Sequence, residues 1–179
     1  MGWYRPRALP HFDTPERPQF VTFRLGDSLP ANVELARSQE SSAAYRRRIE
    51  TALDAGAGTC WLMRPDLAEI VRDGLIHGCG QTHDLHAFVV MPNHVHVLTT
   101  FREGFRLCDV VRGWKSYSAR RINARLGLSG ALWRRDYFDR FIRDELHFER
   151  ARSYIETNPV TAGLTKDADS WGFSSLARP

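Results

Sequence analysis

Val89-Val90-Met91-Pro92-Asn93-His94-Val95-His96-Val97-Leu98 is an apolar run that breaks at a proline and an asparagine and resumes through two histidines. Proline fixes its own φ and asparagine tolerates unusual backbone angles, so Pro92-Asn93 reads as a tight connection between two strands. Side chains alternate faces along a strand, so His94 and His96 project the same way while Val95 enters a core on the other side. Two convergent imidazoles make half a metal site. A chance pair of half-exposed histidines on a sheet is the competing reading, and the spacing by itself favours neither.

Outward from this hairpin, Leu85 to Met91 is the strand before the turn and His94 to Phe101 the strand after it. Upstream, Gln19 to Leu25 alternates well enough for a first strand, closed by Gly26-Asp27. From Ala31 to Ala55 the chain turns to Ala, Glu, Arg and Leu, and Tyr45, Ile49 and Leu53 recur every four residues, which predicts an amphipathic helix stopped by Gly56-Ala57-Gly58. A second helix is predicted from Arg64-Pro65-Asp66, with Leu67, Ile70, Val71, Leu75 and Ile76 at helical spacing up to Gly78.

Downstream, Leu107, Val111, Trp114, Ser118 and Ile122 define one side of a third helix, and Arg112, Lys115, Arg120, Arg121 and Arg125 occupy much of the rest. Tyr137 to Ile142 predicts another short strand. Asp144 is a good N-cap for a last helix, which is expected to end at Asn158 because Pro159 disfavours helical geometry in the residue before it. The order strand, helix, helix, strand, strand, helix, strand, helix suits an antiparallel or mixed sheet with helices packed on it, an α+β domain. Residues 1–17, rich in Pro and Arg, read as an irregular arm, and residues 18–179 as a single domain.

Composition sets the outer bounds. With 179 residues, 42% of them hydrophobic and 26% charged, the chain can bury an ordinary globular core without staples. No apolar run approaches a membrane span and the N-terminal residues lack a secretory core, so a cytoplasmic location without a membrane partner is expected. Cys60, Cys79 and Cys108 are too scattered for a disulfide framework or a structural zinc site and read as core thiols. The net charge is +4, yet residues 106–143 hold ten basic side chains against three acidic, +7, leaving the remainder at −3. A basic segment in a near-neutral chain suggests a polyanionic partner, with a solvated helix face as the plainer alternative.

In the last helix, Tyr154 and Asn158 are four residues apart and so share a face, where a phenol hydroxyl and an amide are presented together. Met91-Pro92-Asn93-His94-Val95-His96, Leu132-Trp133-Arg134-Arg135-Asp136-Tyr137-Phe138-Asp139, Ile142-Arg143-Asp144-Glu145, Tyr154 to Leu164 and Trp171-Gly172-Phe173-Ser174-Ser175 resemble one family. It is the single-tyrosine transposases of the HUH endonuclease superfamily, and within them the REP-associated tyrosine transposases. The resemblance spans most of residues 85–175, and Phe20 to Leu25 is similar to the family's first strand.

The resemblance implies a ferredoxin-like antiparallel sheet, the HUH nuclease fold. It implies that His94, His96 and Asn158 bind Mg²⁺ or Mn²⁺, with asparagine in place of the glutamine of the simpler insertion-sequence enzymes. Mixed imidazole and oxygen ligation is compatible with Mn²⁺ and tolerable for Mg²⁺, whereas imidazoles alone would suit Zn²⁺ as well. Tyr154 is implied as the nucleophile that forms a 5′-phosphotyrosine bond and frees a 3′-hydroxyl, so that strand transfer rather than hydrolysis follows. The implied substrate is single-stranded, hairpin-bearing DNA, and the implied state a monomer or a homodimer.

Arg134 and Arg135, followed by Arg112 and Lys115, are the expected DNA contacts, in a segment interleaved with Trp114, Tyr117, Trp133, Tyr137 and Phe138. Tyr117 is the rival nucleophile, but it lacks an amide one turn on. His83 and His86 could support the metal ligands from behind or simply lie at the surface. Two other classes stay open: a nucleic-acid-binding module of the same fold without catalysis, and a zinc-dependent hydrolase built on His94 and His96, for which no HExxH helix speaks.

Overall fold

A computed structural model describes residues 3–4, 11–12, 16–30, 33 and 42–177. Most of the arm expected over residues 1–17, and the start of the helix expected from residue 31, lie outside the described residues. Within the arm, β1 (Trp3–Tyr4) pairs antiparallel with β2 (His11–Phe12).

The alternating apolar segments form one four-stranded antiparallel sheet. Its strands are β3 (Pro18–Arg24), β4 (His83–Val90), β5 (His94–Phe101) and β6 (Phe138–Phe141), in the order β4-β5-β3-β6. The register places Val89, His96, Thr22 and Phe138 in one row across it. The outer edge of β4 is covered near the chain's end, where Val90 N–H donates to Phe173 O, Ser175 N–H to Phe88 O and Trp171 Nε1–H to Val90 O. These bonds close the Phe88–Val90 part of the edge against pairing with another strand.

The sheet separates two cores. On one face Val21, Phe23, Phe88, Val90, Val95 and Val97 meet α2 (Pro65–Ile76) through Leu67, Val71 and Leu75, and α3 (Leu107–Leu126) through Leu107, Val111, Trp114 and Ile122. On the other face Phe20, Ala87, Val89 and Leu98 pack under Ile155, Phe148, Ala151 and Tyr154 of α4 (Glu145–Thr161). Each fully buried Val, Leu, Ile or Phe contributes roughly 1.5–3 kcal/mol, so both layers are needed. Because His94 and His96 alternate with Val95 and Val97, they fall on the α4 face. A further helix among the described residues, α1 (Ser42–Asp54), precedes a left-handed turn at Gly56 and a single 3₁₀ turn at Trp61–Met63.

Two boundaries and the placement of the cysteines differ from expectation. Strand β4 starts at His83, before a bulge between Leu85 and Ala87. Helix α4 runs through Pro159 to Thr161. Proline removes one N–H there, but the last turn still closes, since Ala162 N–H donates to Asn158 O and Leu164 N–H to Pro159 O. The cysteines are free, with Cys79 exposed and Cys60 and Cys108 half-buried, so they are not core thiols. Among the described residues no helix is long and apolar enough to cross a membrane.

Candidate active site and metal centre

The turn before β5 decides which nitrogen each histidine presents. Asn93 is buried, and its Nδ2 donates to Ala57 O at 2.9 Å, which leaves its Oδ1 to accept from His94 Nδ1–H at 2.7 Å. His94 Nε2 therefore carries a free lone pair. Opposite His96 in the register stands Thr22, whose hydroxyl lies 2.7 Å from His96 Nδ1. With that Nδ1–H donated to Thr22 Oγ1, the second Nε2 is bare too. Oxygen partners behind both rings are the arrangement that orients metal-binding histidines.

The two Nε2 atoms face one another at 3.1 Å, with both rings fully buried. Burial, followed by the proximity of His96, holds the pKa of His94 well below its ordinary value, and burial brings that of His96 down to about 3. In one tautomer of His96 its Nε2–H donates to His94 Nε2 across this distance; with both Nε2 atoms deprotonated, the two lone pairs would instead repel unless an electron-poor centre lay between them. Adjacent donors on an octahedral ion with bonds of about 2.1 Å are roughly 3.0 Å apart, so the spacing fits a divalent cation.

Two further groups converge from the helices. Asp54, the last residue of α1, places Oδ1 3.7 Å from His94 Nε2, and the ligand atoms of Asp54, His94 and His96 all lie within 4.8 Å of one another. Burial raises the Asp54 pKa, opposed by a hydrogen bond from Asn158. Asn158, on α4, donates Nδ2 to Asp54 Oδ1 at 3.5 Å, while its Oδ1 is buried without a partner. An orphaned buried acceptor costs about 1–3 kcal/mol, which a bound cation would relieve.

Tyr154 stands one helical turn before Asn158. Its ring centroid is 5.3 Å from that of His96 and 5.9 Å from that of Phe20. Its hydroxyl is buried with no hydrogen-bond partner. Burial, then the charges of Glu50 and Asp54, push its pKa far above that of a free phenol, against a smaller lowering by the nearby Asn158 amide, which stands short of a well-formed hydrogen bond, so the group rests protonated.

Other candidates lie elsewhere. Tyr117 packs against Gly74 of α2, on the far face of the sheet, beneath the Arg121 guanidinium at 4.7 Å. His83 is buried on that face too, with Nε2 2.9 Å from Leu75 O, Nδ1 2.7 Å from Thr82 Oγ1, and its ring against Trp114. His86 places Nε2 2.7 Å from Thr100 Oγ1 and packs on Phe148.

The expected DNA contacts divide. Arg134 and Arg135 are exposed on the loop after Trp133, which bridges to Leu25 and thus lies near the His94 end of the sheet. Lys115 donates to the carbonyls of Arg134 and Arg135 at 2.7 and 2.8 Å, and burial lowers its pKa to about 8. Arg112 pairs with Asp109 at 3.0 Å. Lys115 and Arg112 belong to α3, across the sheet from Tyr154. Asp54 is the site residue that sequence reasoning missed; its only local signal is its place at the end of an amphipathic helix, just before glycines.

Residues 66–158, just over half of the chain, match the family described as "Transposase IS200 like". A curated relative, the REP-associated tyrosine transposase of Escherichia coli (strain K12), is 30% identical over 95 residues, covering 53% of this chain and 55% of that protein. The chain thus spans about half the length of the curated relative it matches. A solved REP-associated tyrosine transposase bound to a REP hairpin superposes with a TM-score of 0.59 at 18% identity, covering 94% of this chain and 82% of that one. At that identity the likeness establishes the fold. His94, His96, Tyr154 and Asn158 lie inside the family match, and Thr22 and Asp54 lie outside it.

Proposed function

The chain belongs to the IS200-like transposase family, and from that premise we propose that it nicks and rejoins hairpin-bearing single-stranded DNA through a 5′-phosphotyrosine intermediate. The observation that carries the reading is the placement of Tyr154. A buried, unpartnered phenol hydroxyl stands beside His96, whose Nε2 faces that of His94 at 3.1 Å.

His94, His96, Asp54 and Asn158 would hold a divalent ion, Mg²⁺ or Mn²⁺, their mixed nitrogen and oxygen donors suiting the latter better. Such an ion supplies Lewis acidity toward the oxygens of the scissile phosphate. The rest of the chemistry belongs to the chain. Tyr154 gives up its phenolic proton and its Oη attacks phosphorus. A phosphorus–Oη bond forms as the bond to the 3′-oxygen breaks, and that oxygen leaves as a 3′-hydroxyl after taking up a proton. Attack by a 3′-hydroxyl of another strand reverses the exchange and restores the phenol, so the phosphodiester is conserved without ATP.

A strand free of its complement suits this site, because Tyr154 on α4 reaches a backbone phosphate only if the strand can enter between α4 and α1. Arg134 and Arg135 supply phosphate contacts near the His94 end. The hairpin bound by the solved neighbour supports a hairpin substrate here. The working unit is residues 18–179 as one domain, monomeric or homodimeric, acting in the cytoplasm. Incubating the protein with labelled hairpin DNA from the flanks of its own gene, with Mn²⁺, and running a denaturing gel tests this. A slow-migrating covalent band that needs both metal and Tyr154 is the expected result. A shift in native gels without that band would instead make the chain a binding module.

A further inference from the structure

The oxygen partners behind the two imidazoles, Asn93 and Thr22, differ in what they can do. Asn93 Nδ2 lies 2.9 Å from Ala57 O. A carbonyl only accepts, so this end of the amide carries the hydrogens, and the other end, 2.7 Å from His94 Nδ1, has only lone pairs. His94 is thereby fixed with its proton on Nδ1 and its Nε2 bare. Thr22 imposes no such choice, because a hydroxyl both donates and accepts.

Each buried ring is neutral and carries one proton. His94 Nε2 can only accept, and His96 Nε2 stands 3.1 Å from it. A proton on His96 Nε2 makes that approach a hydrogen bond, leaves Nδ1 bare and turns the Thr22 hydroxyl, 2.7 Å away, into its donor. Four hydrogen bonds then run in one direction, from Thr22 through His96, His94 and Asn93 to the carbonyl of Ala57. Every nitrogen of the two rings is paired, as full burial requires.

In that tautomer His96 cannot ligate an ion through Nε2, because the proton occupies the lone pair. Rotating the ring is opposed by its packing: the centroids of Phe20 and Tyr154 each lie 5.3 Å from that of His96, and His94 meets it edge-on at 4.6 Å. A change of tautomer needs no such movement. One proton leaves Nε2 and one arrives at Nδ1, so the ring stays neutral, and Nδ1–H then donates to Thr22 Oγ1.

We propose that Thr22 is a positioning residue that lets His96 exchange tautomers, donating to Nδ1 while His96 is bonded to His94 and accepting from Nδ1–H once His96 Nε2 ligates a divalent cation. The inference rests on His94 and His96 being the metal centre, but its test does not require cleavage. It makes the pair unequal: Asn93 presets His94 for the ion, whereas His96 is committed only on loading. A cation on Nε2 polarises Nδ1–H and strengthens its bond to Thr22, so the hydroxyl contributes more to the loaded state than to the unloaded one.

The experiment records long-range proton–nitrogen NMR spectra of the full chain, which distinguish protonated from bare ring nitrogens, with and without Zn²⁺, a diamagnetic ion that imidazoles bind readily. Without the ion, His94 is expected to carry its proton on Nδ1 and His96 on Nε2; with it, both carry the proton on Nδ1. By calorimetry, Thr22→Val should weaken Zn²⁺ binding about tenfold or more, and Thr22→Ser should restore it. The proposal is overturned if Thr22→Val binds Zn²⁺ as tightly as wild type, or if Thr22→Ser binds as weakly as Thr22→Val, which would make the effect one of packing. Saturable Zn²⁺ binding with the His96 proton on Nδ1 throughout would leave the metal centre standing and sink only the exchange. Ion-free tautomers as expected but no Zn²⁺ binding would remove the metal centre, and the exchange with it.

Discussion

Asn158 Nδ2 and Asp54 Oδ1 meet at 3.5 Å across 104 residues of chain, tying the tyrosine helix to the carboxylate at the end of α1. The contact uses the amide nitrogen of Asn158 and leaves its buried amide oxygen without a hydrogen-bond partner, on the same side chain that steadies the carboxylate.

If Asp54 is a ligand, Asp54→Ala should weaken Mn²⁺ binding about 10–100-fold, the loss usual when a metal site's supporting groups are removed. Asn158→Ala should weaken it as well, and the double variant should lose less than the sum because the two side chains touch. Calorimetric titration with Mn²⁺ measures this. An unchanged affinity in Asp54→Ala would remove the aspartate from the site.

Acid should destabilise the metal-free protein. The folded pKa values of His83, His94 and His96 are all depressed by burial, that of His96 to about 3. The unfolded chain then binds more protons, so the stabilisation is complete above the unfolded value near 6.5 and is lost as pH falls from there toward 3. His96 contributes a slope of roughly 1.4 kcal/mol per pH unit within that window, and His83 and His94 act in the same direction. Urea midpoints at pH 7.5, 6 and 5 should fall in that order, and Mn²⁺ should raise the midpoint at pH 7.5 far more than at pH 5. A flat profile would mean the histidines are not buried neutral.

Tyr154→Phe separates chemistry from stability. The hydroxyl it removes has no partner, so thermal stability should stay within about 1 kcal/mol of wild type or rise slightly. Covalent adduct formation should vanish. An adduct that survives in Tyr154→Phe and disappears in Tyr117→Phe would transfer the nucleophile to α3.

Lys115 and the neighbouring arginines should respond differently. Lys115→Met removes two hydrogen bonds to the 134–135 backbone and should cost about 1–3 kcal/mol of stability, given its partial exposure. Arg134→Gln with Arg135→Gln should leave stability unchanged and reduce the salt dependence of single-strand binding by roughly 0.7 per lost phosphate contact. Thermal melts and fluorescence anisotropy across a salt series check both. Equal slopes in the double variant and wild type would take these arginines off the DNA path.

Much of the scaffold was legible in local pattern. Alternation in residues 94–101 put His94 and His96 on one face, four-residue spacing put Tyr154 beside Asn158, and Leu107, Val111, Trp114, Ser118 and Ile122 are the buried stripe of α3. These follow because the period of a strand or helix fixes where neighbouring side chains point, whatever the rest of the chain does.

The tertiary structure decided what periodicity leaves open, namely which face meets which. It set α3, with Tyr117, Arg112 and Lys115, across the sheet from Tyr154. It made Lys115 a clamp on the carbonyls of Arg134 and Arg135, and it let α4 continue through Pro159. It also brought Asp54 to His94. No local pattern encodes that pairing, because a carboxylate becomes part of a site only when the packing of α1 and the Gly56–Gly58 turn, held through Ala57 and Asn93, brings it within reach of two buried nitrogens.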